Sequence, residues 1–325
     1  MRHFDLRNGS SLADEIKRRG IDILGEIPFP LTQDRFDFAS SCLPLYEKHY
    51  PEIILEIQNL ARGLKVDEKI LFTLFFSMYA IVPVAHCSCI AVRDAENVFL
   101  GRNSDFFISM KETNSHFIYD GYYGNSTAFL ELEDGKNKAG LAIGFTSVFP
   151  HKPKPGLNSG LILRLLLEKA DSVKKAIEIL ESIPIASSQT YMLADESGHT
   201  AYVECSSEHM EKVEYSSGRY CLVSTNRFIL PGMQSYYIKV DDDWNAALRH
   251  ESISAALSKP ASWNIAAIKT SLISASSYNP DTGHDTVWSV IEDLKAGEGW
   301  LCEGNPARGD FHSVKLGLKL LWVSV

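Results

Sequence analysis

The segment from Cys87 to Phe107, CSCIAVRDAENVFLGRNSDFF, carries a thiol, a guanidinium and a carboxylate at Cys87, Arg102 and Asp105. Ile90, Val92, Val98 and Leu100 alternate with other side chains in β-prone runs, and Asp94, Ala95, Glu96 and Asn97 between them supply turn chemistry. The pattern predicts a hairpin whose second strand returns Arg102 and Asp105 to the beginning of the first, beside Cys87.

A cysteine opening a strand becomes an N-terminal nucleophile when the peptide bond before it is cut, and the freed α-amine then acts as its base. Such an amine titrates near ~7.7–8.0 and a thiol near ~8.5, so the two share a proton at neutral pH without a distant histidine. Asp105 is placed to accept from the amine, and Arg102 to favour the thiolate and orient a substrate carbonyl or carboxylate. Acyl transfer also needs donors aimed at a developing oxyanion. Asn226, closing the strand CLVSTN, is the expected donor.

The elements that must hold these groups follow from periodicity. Residues 1–44 say little beyond an extended lead around Pro28 to Leu31. Ile53, Ile54, Ile57, Leu60 and Ala61 recur at helical spacing, Gly63 stands where that helix would stop, and Asp67 can cap the next one through Phe75 or beyond. Strands are expected at Phe117 to Tyr119, Thr127 to Leu132 and Gly140 to Val148, with turns at Gly124 and Asp134-Gly135. Asn158 can cap a helix carrying Leu161, Leu165 and Leu166, and a second helix spans Ser172 to Ser182. A hairpin pairs Thr190 to Ala194 with Thr200 to Cys205, and Tyr220 to Thr225 forms a further strand. Residues 241–275 read as helical, and strands return at Thr286 to Asp293, Gly299 to Cys302 and Ser313 to Val323. Helices, strands, a helix pair, strands, helices and strands in that order fit an α+β, four-layer αββα sandwich.

The chain has 325 residues, 45% of them apolar, enough for one large core. A formal charge of −9 and the lack of basic runs interleaved with aromatics exclude a nucleic-acid partner. The basic N-terminus has no apolar run behind it, so no secretory signal is read, and a cytoplasmic location is expected. Ile70 to Ala85 is the most apolar stretch but is shorter than the ~18 residues of a bilayer span and contains Pro83. It is expected to be buried, with no membrane span. The six cysteines are expected as reduced thiols.

The residues also resemble a family. Cys87-Ser88-Cys89 followed by Gly101-Arg102-Asn103-Ser104-Asp105-Phe106 is similar to the nucleophile hairpin of the choloylglycine hydrolase superfamily of N-terminal nucleophile (Ntn) hydrolases, above all its branch of acyl-CoA:6-aminopenicillanic acid acyltransferase and peptidase family C45. Tyr50-Pro51-Glu52, Gly135 to Leu141, Ala186-Ser187-Ser188, Leu193-Ala194-Asp195, Thr225-Asn226-Arg227-Phe228, Thr286-Val287-Trp288-Ser289 and Gly304-Asn305-Pro306 continue the resemblance in the family's order. It implies an αββα Ntn fold, self-cleavage before Cys87, and attack by its thiol on a linear amide or thioester. The acyl group would pass to water or an amine. Residues 1–86 would be a helical pro-segment, cleaved but retained, and 87–325 the catalytic domain. Cys87, Arg102, Asp105 and Asn226 are carried over as catalytic residues. Thr146 and Ser147 stand where many relatives have an Asn and are carried as substrate or oxyanion candidates, and His86 replaces the Gly often found before the nucleophile. The partner is a small-molecule amide or acyl donor, acyl-CoA would be a substrate, neither cofactor nor metal is implied, and association into a homo-oligomer is compatible with the sequence.

Other readings stand beside this one. Cys89 faces the same side of its strand as Cys87 and is expected to be buried. Arg102 and Asp105 could form an ordinary strand-end ion pair, and Asn226 could cap its strand. A zinc site of His86, Cys87 and Cys89 with Cys205, Cys221 or Cys302 lacks the usual CxxC pairs. Tyr122, Tyr123, Phe145 and Phe149 are expected in the core. No GxSxG elbow or phosphate-binding loop occurs. An unprocessed Ntn-fold binding or latent protein is the alternative from another class.

Overall fold

The computed structural model describes residues 1–27, 29–81, 86–241 and 243–314, so Pro28, the apolar run's end at 82–85 and the expected strand's end at 315–323 lie outside the described residues. Strand β1 (Arg2–Asp5) precedes helices α1 (Leu12–Arg19), α2 (Gln33–His49), α3 (Pro51–Leu64) and α4 (Glu68–Ile81). Ser11 accepts from Asp14 N to cap α1, and Asp67 accepts from Lys69 N at the start of α4. The expected stop at Gly63 moves slightly, because Lys65 rather than the glycine takes the left-handed turn after α3. Helix α4 is buried from Leu71 to Ala80, consistent with its continuous apolar sequence.

The hairpin follows as β2 (His86–Arg93) and β3 (Val98–Phe107), then β4 (Ser115–Ile118), β5 (Tyr122–Ser126), β6 (Asp134–Asn137) and β7 (Ala142–Ser147). Helices α5 (Ser159–Lys169) and α6 (Val173–Ser182) are capped by Asn158 and Ser172. Strands β8 (Gln189–Ala194), β9 (Thr200–Cys205), β10 (Met210–Tyr215) and β11 (Tyr220–Ser224) lead to α7 (Ala246–Ser258) and α8 (Ile265–Ser274). The chain closes with β12 (Tyr278–Asn279), β13 (His284–Asp293), β14 (Glu298–Glu303) and β15 (Phe311–Val314).

Among the described residues these strands form two sheets. One runs β1-β4-β5-β6-β7-β8-β9-β10; the other runs β11-β2-β3-β13-β14-β15, with β12 on β13. Strands β2 and β3 face β7 and β8 across the middle layer, α5 and α6 cover the first sheet, and α7 and α8 cover the second. The four-layer αββα order is therefore the one the sequence predicts. The N-terminal region is mainly helical, yet β1 pairs in parallel with β4 and so belongs to the first sheet. No helix among the described residues is long and apolar enough to cross a membrane.

Two expectations are corrected between β5 and β6. Thr127 to Leu132 is a tight loop, bridged at Ala128 and Glu131, with Phe129 at φ 56°. Gly124 and Gly135 are not turn residues but cross-strand partners. A Cβ at Gly124 would lie 2.6 Å from the Asp134 carbonyl, and one at Gly135 would lie 2.4 Å from that of Tyr123. Glycine marks a close backbone approach here, not a reversal.

Gly144 on β7 performs the same service between the sheets, where a Cβ would meet Cys89 Sγ at 2.7 Å and Arg102 Cδ at 3.1 Å. Gly144→Ala is expected to cost about 1–3 kcal/mol by overpacking a fully buried layer, read as a lowered thermal midpoint.

Candidate active site

Cross-strand register places the predicted groups. Cys87 lies opposite Ser104, His86 opposite Asp105, and Cys89 opposite Arg102. Because strand side chains alternate, Cys87, Cys89, Arg102 and Ser104 point into the layer between the sheets, whereas His86, Ser88 and Asp105 point the other way. Cys87, Cys89, Arg102 and Asp105 are all fully buried.

Arg102 is the hub of the inner face. Its Nη2 donates to Cys87 Sγ at 2.7 Å and to Glu133 Oε2 at 2.9 Å, its Nη1 to Asp134 Oδ2 at 2.9 Å, and its Nε to the Phe145 carbonyl at 3.0 Å. The two carboxylates are themselves fixed. Glu133 accepts from Ser104 Oγ, Tyr79 OH and Thr127 Oγ1, and Asp134 from Trp288 Nε1 and Asn125 Nδ2. One buried cation thus faces two buried carboxylates. Burial pushes the Cys87 thiol up to about 12; Arg102 opposes this and Glu133 adds to it. Arg102 pulls the thiol down, as expected of it, but desolvation is the larger effect and leaves the thiol neutral.

A second arginine, Arg249 of α7, organises the outer face. Its Nη1 donates to the Cys87 carbonyl at 2.6 Å and to Ser88 Oγ at 2.8 Å, and its Nη2 to Asn226 Oδ1 at 2.8 Å. Nη1 also lies 3.4 Å from Asp105 Oδ2, which has no hydrogen-bond partner among the described residues. Asp105 Oδ1 accepts from Thr286 Oγ1 at 2.6 Å. Burial raises the Asp105 carboxyl, against the lowering effect of Arg249 and Thr286.

The Cys87 amide does not reach Asp105. It donates to Asn226 Oδ1 at 2.9 Å, while Asn226 Nδ2 donates to the Ser147 carbonyl at 2.8 Å. Asn226 therefore acts through Oδ1 as an acceptor at the Cys87 amide. The Thr146 hydroxyl donates to the Thr225 carbonyl and meets Thr190 and Ser224 Oγ, which ties β7, β8 and β11 together. Ser147 contributes its backbone carbonyl to Asn226. The ring of His86 stacks on Trp244 at 4.2 Å and 18°, and burial, with Arg249 and His284 nearby, pulls its pKa down to about 3. The other cysteines are dispersed on α2, β9, β11 and β14, and among the described residues no group of three or more His, Cys, Asp or Glu side chains could hold a metal ion. Tyr122, Tyr123 and Phe145 are buried as expected, whereas Phe149 is exposed and not part of the core.

Sequence reasoning missed Glu133, Asp134, Ser104, Thr286 and Arg249. Glu133 and Asp134 look like turn residues in ELEDG. Arg249 sits on a helix whose only local signal is a charged residue on an otherwise buried face, since Ile253 and Leu257 continue that face at helical spacing.

Residues 92–308 match the family model for acyl-coenzyme A:6-aminopenicillanic acid acyl-transferase. The chain belongs to this family. The matched span includes Arg102, Asp105, Glu133, Asn226 and Arg249 and begins after Cys87, so the acyl-transferase family match bears on the frame around the thiol rather than on the thiol itself. No curated protein matches the sequence. Among solved structures, penicillin V acylase from Agrobacterium tumefaciens is 18% identical, with 71% of this chain and 86% of that chain covered at a TM-score of 0.50. A mutant conjugated bile acid hydrolase from Clostridium perfringens is 14% identical over 71% of this chain and 92% of that one, at 0.52. They share the fold, the Ntn-hydrolase sandwich.

The raised Asp105 carboxyl carries a sign. A carboxyl whose folded pKa lies above its unfolded value contributes stability that is present below the unfolded pKa and is lost as pH rises through the folded one. Asp105→Asn keeps the shape and removes that loss. It is expected to melt no lower than the parent at pH 7, with the two melting curves converging toward pH ~3 as the parent's Asp105 is protonated.

Proposed function

We propose that this member of the acyl-transferase family is a cysteine Ntn amide hydrolase or acyltransferase that activates itself by cutting the His86–Cys87 bond. One observation carries the reading: the thiol of Cys87, at the start of an inner strand, lies 2.7 Å from Arg102 Nη2 while its own amide lies 2.9 Å from Asn226 Oδ1. Both ends of the residue that would serve as nucleophile and base are held by charged or polar groups.

In self-cleavage Cys87 Sγ attacks the His86 carbonyl carbon, the C–N bond breaks, and the thiol proton passes to the departing nitrogen. The resulting thioester between His86 and Cys87 Sγ is hydrolysed by water, leaving a carboxylate on residue 86 and a free amine and thiol on Cys87. The amine is then the base. Asp105 Oδ2, buried without a hydrogen bond, is the acceptor suited to the ammonium form, and Arg249 keeps the Cys87 carbonyl fixed while this happens. In turnover the thiol attacks a linear amide or thioester, acyl-CoA being one donor class, and the acyl-cysteine passes to water or an amine. Asn226 Nδ2 exchanges the Ser147 carbonyl for the developing oxyanion. Glu133 and Asp134 position Arg102. The protein's own groups complete this chemistry with neither metal nor cofactor.

Segments 1–86 and 87–325 would remain associated after the cut. Strand β1 is laid beside β4, Tyr50 OH donates to Glu168 at 2.7 Å, and Tyr46 OH accepts from Asn158 N at 2.7 Å.

Intact mass and N-terminal sequencing of purified protein are expected to show a fragment beginning at Cys87, with both pieces co-eluting on gel filtration. Cys87→Ala is expected to stay whole and to lose acyl transfer by at least about a hundredfold. Full activity in Cys87→Ala would overturn the mechanism, and a parent chain that stays whole and inert toward alkylation would favour the binding or latent protein.

A further inference from the structure

We propose that the ring site filled by His86 in the uncut chain is the acyl-group site of the cut enzyme, and that it takes acyl groups bearing a planar aromatic ring on the β-carbon, the 3-arylpropanoyl class. This rests on the nucleophile reading above. In self-cleavage the carbonyl attacked by Cys87 Sγ belongs to His86, and the intermediate is a thioester whose acyl side continues through Cα and Cβ to the imidazole ring. In turnover the same sulfur forms the same bond to the substrate carbonyl. Whatever substituent that carbonyl carries enters the space that residue 86 has left.

That space is an aromatic stack. His86 lies face to face with Trp244 at 4.2 Å and 18°, Trp244 lies face to face with His284 at 4.0 Å and 15°, and Phe107 meets Trp244 edge-on at 5.3 Å and 85°. Offset and edge contacts of this kind favour a flat ring over a flexible alkyl chain of equal length. An imidazole suits the position poorly, because His86 Nδ1 is buried with no hydrogen-bond partner among the described residues. A carbocyclic ring would have no nitrogen to strand there.

The wall of the site is also tied to the nucleophile. Arg249 donates through Nε to the Trp244 carbonyl at 2.9 Å and through Nη1 to the Cys87 carbonyl at 2.6 Å, so one guanidinium sets the distance between them. Trp244 adopts a φ of 50°, a conformation that bulky side chains rarely take. Strain of this kind persists where surrounding contacts over-determine it and is concentrated at ligand clamps.

The test uses the self-cleaved full chain and two thioester donors of matched length, 3-phenylpropanoyl and hexanoyl N-acetylcysteamine. Acylation of Cys87 is followed by mass and kcat/KM by thiol release. We expect an aryl-over-alkyl preference of about fivefold, falling toward one in Trp244→Ala and largely kept in Trp244→Phe. A second measurement needs no change at Trp244: His86→Phe is expected to cut itself at least as fast as the parent and His86→Leu several-fold more slowly. Equal acylation by both donors, a ratio unmoved by Trp244→Ala, or equal cutting by the two His86 variants overturns the pocket and leaves the nucleophile in place. A cut chain whose Cys87 accepts neither donor overturns the proposed function, and the pocket with it.

Discussion

The buried guanidinium of Arg102 is the constraint from which the rest of the site takes its form. A cation without water must be matched by nearby negative charge, and here it is matched by Glu133 and Asp134, each at 2.9 Å. Those carboxylates in turn need donors, which explains the ring of Tyr79, Thr127, Ser104, Asn125 and Trp288 around them. Strands β2, β3, β5, β6, β7 and β13 each send a side chain or carbonyl to this cluster. The cost of leaving any one of these groups unpaired makes the layer's register strict.

The consequence for chemistry is a Cys87 thiol whose ionisation is withheld. Arg102 touches the sulfur, but its charge is divided between Glu133 and Asp134, Glu133 raises the same thiol, and burial settles the balance in favour of the neutral form. A chain in this state holds its sulfur beside a cation without ionising it. What is lacking is a base in contact with the thiol, and in the proposed mechanism the cut supplies one as the α-amine of the same residue. The outer arginine, Arg249, has the complementary task of fixing the backbone on either side: the Cys87 carbonyl, the Asn226 side chain and the loop carrying Trp244.

Much of this frame was legible in the sequence, for identifiable reasons. The β2–β3 hairpin shows period-two alternation with a turn between, so the register bringing Cys87 near Arg102 and Asp105 could be read directly. The caps at Asn158 and Ser172 signal α5 and α6 before any packing is known. What stayed hidden is what tertiary contact alone decides. Gly124 and Gly135 read as turns because glycine permits both a turn and a close strand approach, and only the neighbouring backbone distinguishes them. Strand β10 is an edge strand of half-exposed residues, MEKVEY, without a strong period-two signal. Glu133 reads as part of a turn and Arg249 only as a charge on a buried helix face; Arg102 and Cys87, the groups they hold, lie 31 and 162 residues away, so pairing across the layers is invisible to spacing. Asn226, expected to close its strand, lies two residues beyond the end of β11 at Ser224, and its amide faces both ways, accepting from Cys87 and donating to Ser147.

In the proposed mechanism the Cys87 thiol is held neutral until the chain is cut. The pH dependence of Cys87 alkylation by iodoacetamide, followed by peptide mass before and after self-cleavage, tests this directly. Before the cut, labelling is expected to stay slow through neutral pH and to rise only under strongly alkaline conditions; after it, the profile should fall into the range of an α-amine and thiol pair, about 8. The same profile in both states, or a thiol already reactive at pH 7 in the uncut chain, would contradict it.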